Sequence, residues 1–202
     1  GRSNSFAHEW MHAVDHFLRD RLRPGSFNAL LSQVTRAEGL DPTAALEGAY
    51  VNLVHRLFFD EAALADRAMA LEVEAQKTDK LGNPTKGAVK AERQLTELRE
   101  GSTRLKIAPS KLRSGSAKLP NGKYLASVHE LVARAFEAYI GFKVAQAEGG
   151  NEVITKGDAA YLNELNEYME AVYPKASERM AIFAAFDDLF TELVAQQVLG
   201  TE

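Results

Sequence analysis

Apolar residues recur at three- and four-residue intervals along almost the whole chain, and the apolar/polar alternation of half-buried strands is nearly missing. That pattern restricts the chain to a mainly α fold with little or no sheet. Phe6, Trp10, Val14, Phe17 and Leu18 form one broad face of a first helix that ends before Pro24-Gly25. A short helix is expected over 28–37, closed by Gly39. Asp41-Pro42-Thr43 combines an N-cap oxygen with a first-turn proline, so a long helical stretch should start there and run to about Lys77, with a break near Asp60. Leu81-Gly82-Asn83-Pro84 reads as a turn, and 88–100 as a polar helix. From Gly101 to Gly122 the chain is rich in Ser, Gly, Pro and Lys and is expected to be an exposed loop. Periodicity returns over 127–147, with Leu131, Ala135, Phe136, Tyr139 and Phe142 on one face before Gly149-Gly150. Asp158 can cap a helix reaching Tyr173. Pro174 opens a last helix whose stripe is Ile182, Phe183, Phe186, Leu189, Phe190 and Leu193.

Composition bounds the organisation. The 202 residues are 46% apolar and 26% charged, which suits one globular domain over 1–202 with an insertion at about 77–122. With no cysteine, the chain can hold no disulfide, thiolate metal site or cysteine nucleophile, and a reducing, cytoplasmic setting is expected. No run approaches the roughly 20 apolar residues of a membrane span, so no membrane partner is expected. Gly1 to Ser5 lack the layout of a signal peptide, and the chain reads as a piece of a longer multidomain polypeptide. The net charge of -4 is unevenly placed: Lys77 to Lys123 holds twelve Lys/Arg against four Asp/Glu. A basic, partly disordered insertion in an acidic body is the expected arrangement.

The chemistry begins with His8-Glu9-Trp10-Met11-His12. The i, i+4 spacing puts both imidazoles on one helix face about a turn apart, where they can share one metal. Glu9 beside them has the place of a general base, able to deprotonate a metal-bound water and later protonate a leaving amine. This is the zincin pattern, and the expected metal is Zn2+. His16 continues the series, but a rise of about 1.5 Å per residue sets it roughly 12 Å from His8, too far to share an ion. It reads as a partly exposed helix histidine, His55 as structural, and Trp10 and Met11 as core. A third ligand must come from elsewhere, since catalytic zinc keeps three protein ligands and an open position. The best donor is the helix holding Glu130, Arg134 and Glu137, which share one face and make a polar wall on an otherwise apolar element.

Three blocks together resemble a known family. They are His8 to Asp15, then Ser127-Val128-His129-Glu130-Leu131-Val132-Ala133-Arg134-Ala135-Phe136-Glu137-Ala138-Tyr139, then Tyr173-Pro174 with Ala185-Phe186-Asp187-Asp188-Leu189-Phe190. They look like the large polyvalent protein-associated domain of phage and conjugative-element proteins, and they span nearly the whole chain. The resemblance implies a single zincin-like metallopeptidase module within a mobile-element polyvalent protein that acts in the cytoplasm of a recipient cell. It implies His8 and His12 as ligands, Glu9 as general base and Glu130 as third ligand. Glu137 is the alternative ligand, or an acceptor that orients a ligand imidazole through its other ring nitrogen. Glutamate zincins place an aspartate four residues after the ligand glutamate; here that position is Arg134, and Asp15 is its candidate partner.

A second departure concerns substrate. Zincin peptidases hold substrate along a strand ahead of the histidine helix, and only seven residues precede His8. Asn121 to Leu125 is the candidate replacement as an extended edge near the metal, with Tyr124 or His129 placed to polarise a scissile carbonyl. The expected partner is a peptide or protein substrate. The alternative function is an inactive interaction module with a structural metal, binding nucleic acid or a partner protein through the 77–123 basic segment, with Lys111, Arg113 and Lys118 as contacts. That segment contains no aromatic residue to stack bases on.

Overall fold

Where the 3.6-residue period is strongest, the chain is helical. The computed structural model describes residues 6–24, 31, 40–41, 44–99, 109–147 and 171–198. Among them the helices are α1 (Phe6–Leu22), α2 (Ala45–Phe58), α3 (Glu61–Ala75), α4 (Lys86–Arg99), α5 (Lys111–Ala117), α6 (Gly122–Leu125), α7 (Val128–Ala147) and α8 (Ala176–Ala195), and no strand longer than an isolated bridge is present among the described residues. The mainly α expectation is met. The helices expected over 28–37 and from Asp158 towards Tyr173 fall almost wholly outside the described residues. None of the described helices is long and apolar enough to cross a membrane.

The chain divides into two compact units, Gly1–Phe58 with Lys111–Glu202, and Phe59–Ser110. In the first, α1 packs on α7 and α8 on α2, with further contacts of α7 to α2 and α8. Every residue from Glu130 to Tyr139 is buried, so this part of α7 is enclosed on all sides rather than along one stripe. Its apolar residues Phe136 and Tyr139 join Phe183, Phe186 and Phe190 in an aromatic cluster, with Phe136–Phe186 centroids at 5.5 Å and Tyr139–Phe183 at 5.7 Å. Met11 is fully buried, as its reading as core requires, while Trp10 on α1 is half-buried and stacks on Phe136 at 5.4 Å and on Phe190 at 6.1 Å.

Two expectations for the stretch before α7 are corrected. Lys111–Ala117 is helical instead of loop, because Leu112 buries itself and the Glu178 carboxylate of α8 accepts from the amides of Lys111 and Leu112 at the helix start. Asn121 to Leu125 is no extended edge: Asn121 takes the left-handed conformation with φ of 63°, and Gly122–Leu125 is a single helical turn. A side chain at Gly122 would bring its Cβ to 2.2 Å from the carbonyl oxygen of Ala117, so the tight turn depends on glycine there. For the rest of the expected loop, 101–108 lies outside the described residues.

The second unit is a helical hairpin. Asp60 caps α3, its side chain accepting from the Ala63 amide at 3.1 Å, which is the break expected near that residue. Leu64 and Leu71 of α3 pack on Ala91, Leu95 and Leu98 of α4. The connecting turn is closed by Asp79, whose carboxylate accepts from the amides of Leu81 and Asn83 at 2.8 and 3.0 Å, hydrogen bonds that hold its pKa below the ordinary value.

Candidate metal centre

The i, i+4 geometry of α1 turns His8 and His12 towards α7 while α7 turns Glu130 towards them. His8 and Glu130 are each 4% exposed, and His12 is half-buried. The two Nε2 atoms are 3.2 Å apart. His8 Nε2 lies 3.7 Å from Glu130 Oε2, and His12 Nε2 lies 3.6 Å from Glu130 Oε1. Ligands about 2.05 Å from a tetrahedral ion stand roughly 3.3 Å from one another, close to the separation of the two imidazole nitrogens, while the carboxylate turns a different oxygen to each imidazole. Among the described residues, this trio is the one group of three His, Asp or Glu whose ligand atoms all lie within 4.8 Å of one another. Two imidazole nitrogens and one carboxylate are a donor set that suits zinc.

The local field suits a cation. Burial opposes the charge on Glu130, but the contacts from His12, His8 and Tyr124 outweigh it and hold the carboxyl well below the usual carboxylate range. The contact with Glu130 raises the pKa of His12 against its burial, with smaller contributions from the charges of Glu9 and Asp15. Glu9 itself is exposed, on the solvent side of the same helix turn.

Around the trio, polar side chains meet polar partners. Tyr124 donates its hydroxyl proton to Glu130 Oε1, which pushes the phenol up to about 12. Arg134 donates from Nε to the Glu130 carbonyl at 3.1 Å and from Nη2 to the Leu125 carbonyl, tying the start of α7 to α6. Asp15, 1% exposed, accepts from the Tyr50 hydroxyl of α2 at 2.8 Å. Glu137 accepts from the Tyr173 hydroxyl at 2.8 Å. It stands two helical turns beyond Glu130 and outside the converging trio.

The structure therefore brings together His8, His12 and Glu130, with Tyr124 on the third. His129 flanks them, its ring centroid 5.9 Å from those of both His12 and Tyr124. Burial lowers the pKa of His129, so the ring favours its neutral form. His16 is exposed and turned to Asp20 and Arg19, away from the trio. Sequence reasoning missed Tyr50 and the role of Tyr173. Both act on partners distant in the chain, and the only available signal was Tyr173-Pro174 among the resembling blocks.

The family model of the large polyvalent protein-associated domain 1 matches residues 117–197. The match takes in Tyr124, His129, Glu130, Arg134, Glu137 and Tyr173, while the block at His8 to Asp15 lies outside it. The resemblance is thus confined by this comparison to the part of the chain that supplies the carboxylate. No curated protein and no solved structure matches the chain.

Proposed function

We propose that the chain is a zinc-dependent peptidase domain of the glutamate-zincin type, part of a polyvalent protein of a mobile genetic element. The observation that carries this reading is the convergence of His8, His12 and Glu130, drawn from two helices far apart in sequence, with one ligand atom of each within 4.8 Å of the others. His8, His12 and Glu130 would hold the zinc. When bound, it supplies Lewis acidity, polarising a peptide carbonyl and lowering the pKa of water towards about 7.

The remaining roles belong to the chain's own residues. Glu9, exposed on the helix turn that carries both histidines, takes a proton from the water whose oxygen adds to the carbonyl carbon. It returns that proton to the amine nitrogen as the C–N bond breaks. Neutral His129, beside His12, is placed to donate a hydrogen bond to the developing oxyanion. Tyr124 fixes the orientation of the Glu130 carboxylate by the hydrogen bond it donates.

Elemental mass spectrometry on the purified chain tests the reading. About one zinc per chain is expected in wild type, and none after Glu130→Ala. Glu9→Gln should retain the metal and lose cleavage of a casein or peptide-library substrate by at least about a hundredfold. A wild type that takes up no zinc overturns the reading. Zinc without any cleavage supports an interaction module with a structural metal.

A further inference from the structure

Beside the trio, an open cavity of about 340 Å³ is bounded by Phe58 at the end of α2, Arg113 of α5, Lys123 of α6, and Ser127 and His129 at the start of α7. Its lining contains two permanent cations, a hydroxyl and an imidazole, and no carboxylate. The Arg113 guanidinium is held at the wall, 4.3 Å over the centre of the Phe58 ring. Lys123 is exposed and supplies the second positive charge. His129 belongs to both places, since it lines the cavity while its ring centroid lies 5.9 Å from that of His12. An anionic group in this cavity therefore shares its wall with the imidazole that also neighbours His12.

We propose that this cavity is a subsite for a substrate carboxylate, either the C-terminal carboxylate of a peptide or an acidic side chain near the scissile bond. The inference rests on the peptidase reading and names its substrate class. A planar carboxylate matches the fork of a guanidinium, and the neighbouring ammonium adds a second charge-assisted bond. The volume is at the lower end for a ligand pocket, enough for one residue and not for an extended chain.

The test uses amide NMR shifts of the 15N-labelled chain, first metal-free and then zinc-loaded in the Glu9→Gln background, where no turnover confuses binding. The probes are acetyl-Ala-Ala-Ala with a free C-terminal carboxylate, the same peptide as its amide, and acetyl-Ala-Glu-Ala amide. At least one of the two carboxylate peptides is expected to bind about tenfold or more tighter than the neutral amide, metal-free as well as zinc-loaded, with shifts at 113, 123 and 127–129. Preference for the free terminus or for the glutamate identifies the source of the carboxylate. Lys123→Ala and Arg113→Gln should each cut the preference several-fold. If Arg113→Gln disturbs its packing on Phe58, the exposed Lys123 decides alone. Equal affinities for all three probes, no binding by any of them, or a preference untouched by Lys123→Ala overturns the proposal. So does a dT12 oligonucleotide that shifts the same amides when the peptides do not, which assigns the cavity to nucleic acid. Carboxylate preference without cleavage by the zinc-loaded wild type keeps the subsite and removes the peptidase reading. Cleavage with no such preference does the reverse.

Discussion

Glu130 is the residue on which the candidate centre turns, because it is the buried anion that two imidazoles face. Tyr124 spends its hydroxyl proton on that carboxylate, so it sets the orientation of an oxygen that a metal would need. Tyr124→Phe should keep the fold and weaken zinc binding by about ten- to a hundredfold, read by competition with a chelator of known affinity; affinity within twofold of wild type would show that the hydroxyl is irrelevant to the site. Tyr173 plays the corresponding part for Glu137. Removing a donor to a buried carboxylate costs about 1.5–3 kcal/mol, so Tyr173→Phe should lower unfolding stability by that amount in urea titration while zinc stoichiometry stays unchanged. These residues also show how far a sequence can be read. His8 and His12 were legible because four-residue spacing on a helix is a local fact, and Glu130 because a carboxylate, an arginine and a second carboxylate on one face of an apolar helix are out of place there. Tyr50 and Tyr173 were not, since each meets its partner only through tertiary packing.

At the scale of elements, α7 was legible throughout and α5 and α6 were not. The apolar spacing of α7 persists for five turns, while α5 is short, contains Ser114, Gly115 and Ser116, and owes its start to Glu178, a residue of another helix. Asn121-Gly122 looks like an extended approach or a turn with equal ease, and the close passage of Ala117 decides it. The contact between α7 and α8 carries its own titration. Burial opposes the charge of Asp187, but Lys143 at 2.8 Å and the Tyr139 hydroxyl at 2.6 Å outweigh it and lower the Asp187 pKa. A lowered folded pKa stabilises above the unfolded value of about 3.9 and is lost as pH falls through the folded value. Because the side chain of Asp187 is 48% exposed, the increment is screened to less than about 1 kcal/mol. Asp187→Asn should therefore be slightly less stable than wild type at neutral pH, with the difference vanishing towards pH 2. A difference that grows on acidification contradicts the assignment.

For the whole molecule, the three candidate ligands are native-state neighbours only: α1 ends at Leu22 and α7 begins at Val128, and an unfolded chain does not hold His8, His12 and Glu130 within one coordination sphere. Zinc held by this trio would bind the folded form preferentially, and its affinity would become folding free energy. At free zinc a hundredfold above Kd the gain is about 2.7 kcal/mol, which for a chain of this size raises Tm by roughly 5–10 °C. Glu130→Ala should abolish that response, whereas His16→Ala, on the exposed side of α1, should leave it intact. The hairpin of α3 and α4 holds none of the trio, so a core truncation there separates stability from metal binding. Leu95→Ala should cost about 2–4 kcal/mol by calorimetry or urea titration and still leave one zinc per chain at saturation. If zinc raises Tm equally in wild type and Glu130→Ala, the ion is binding somewhere other than between α1 and α7.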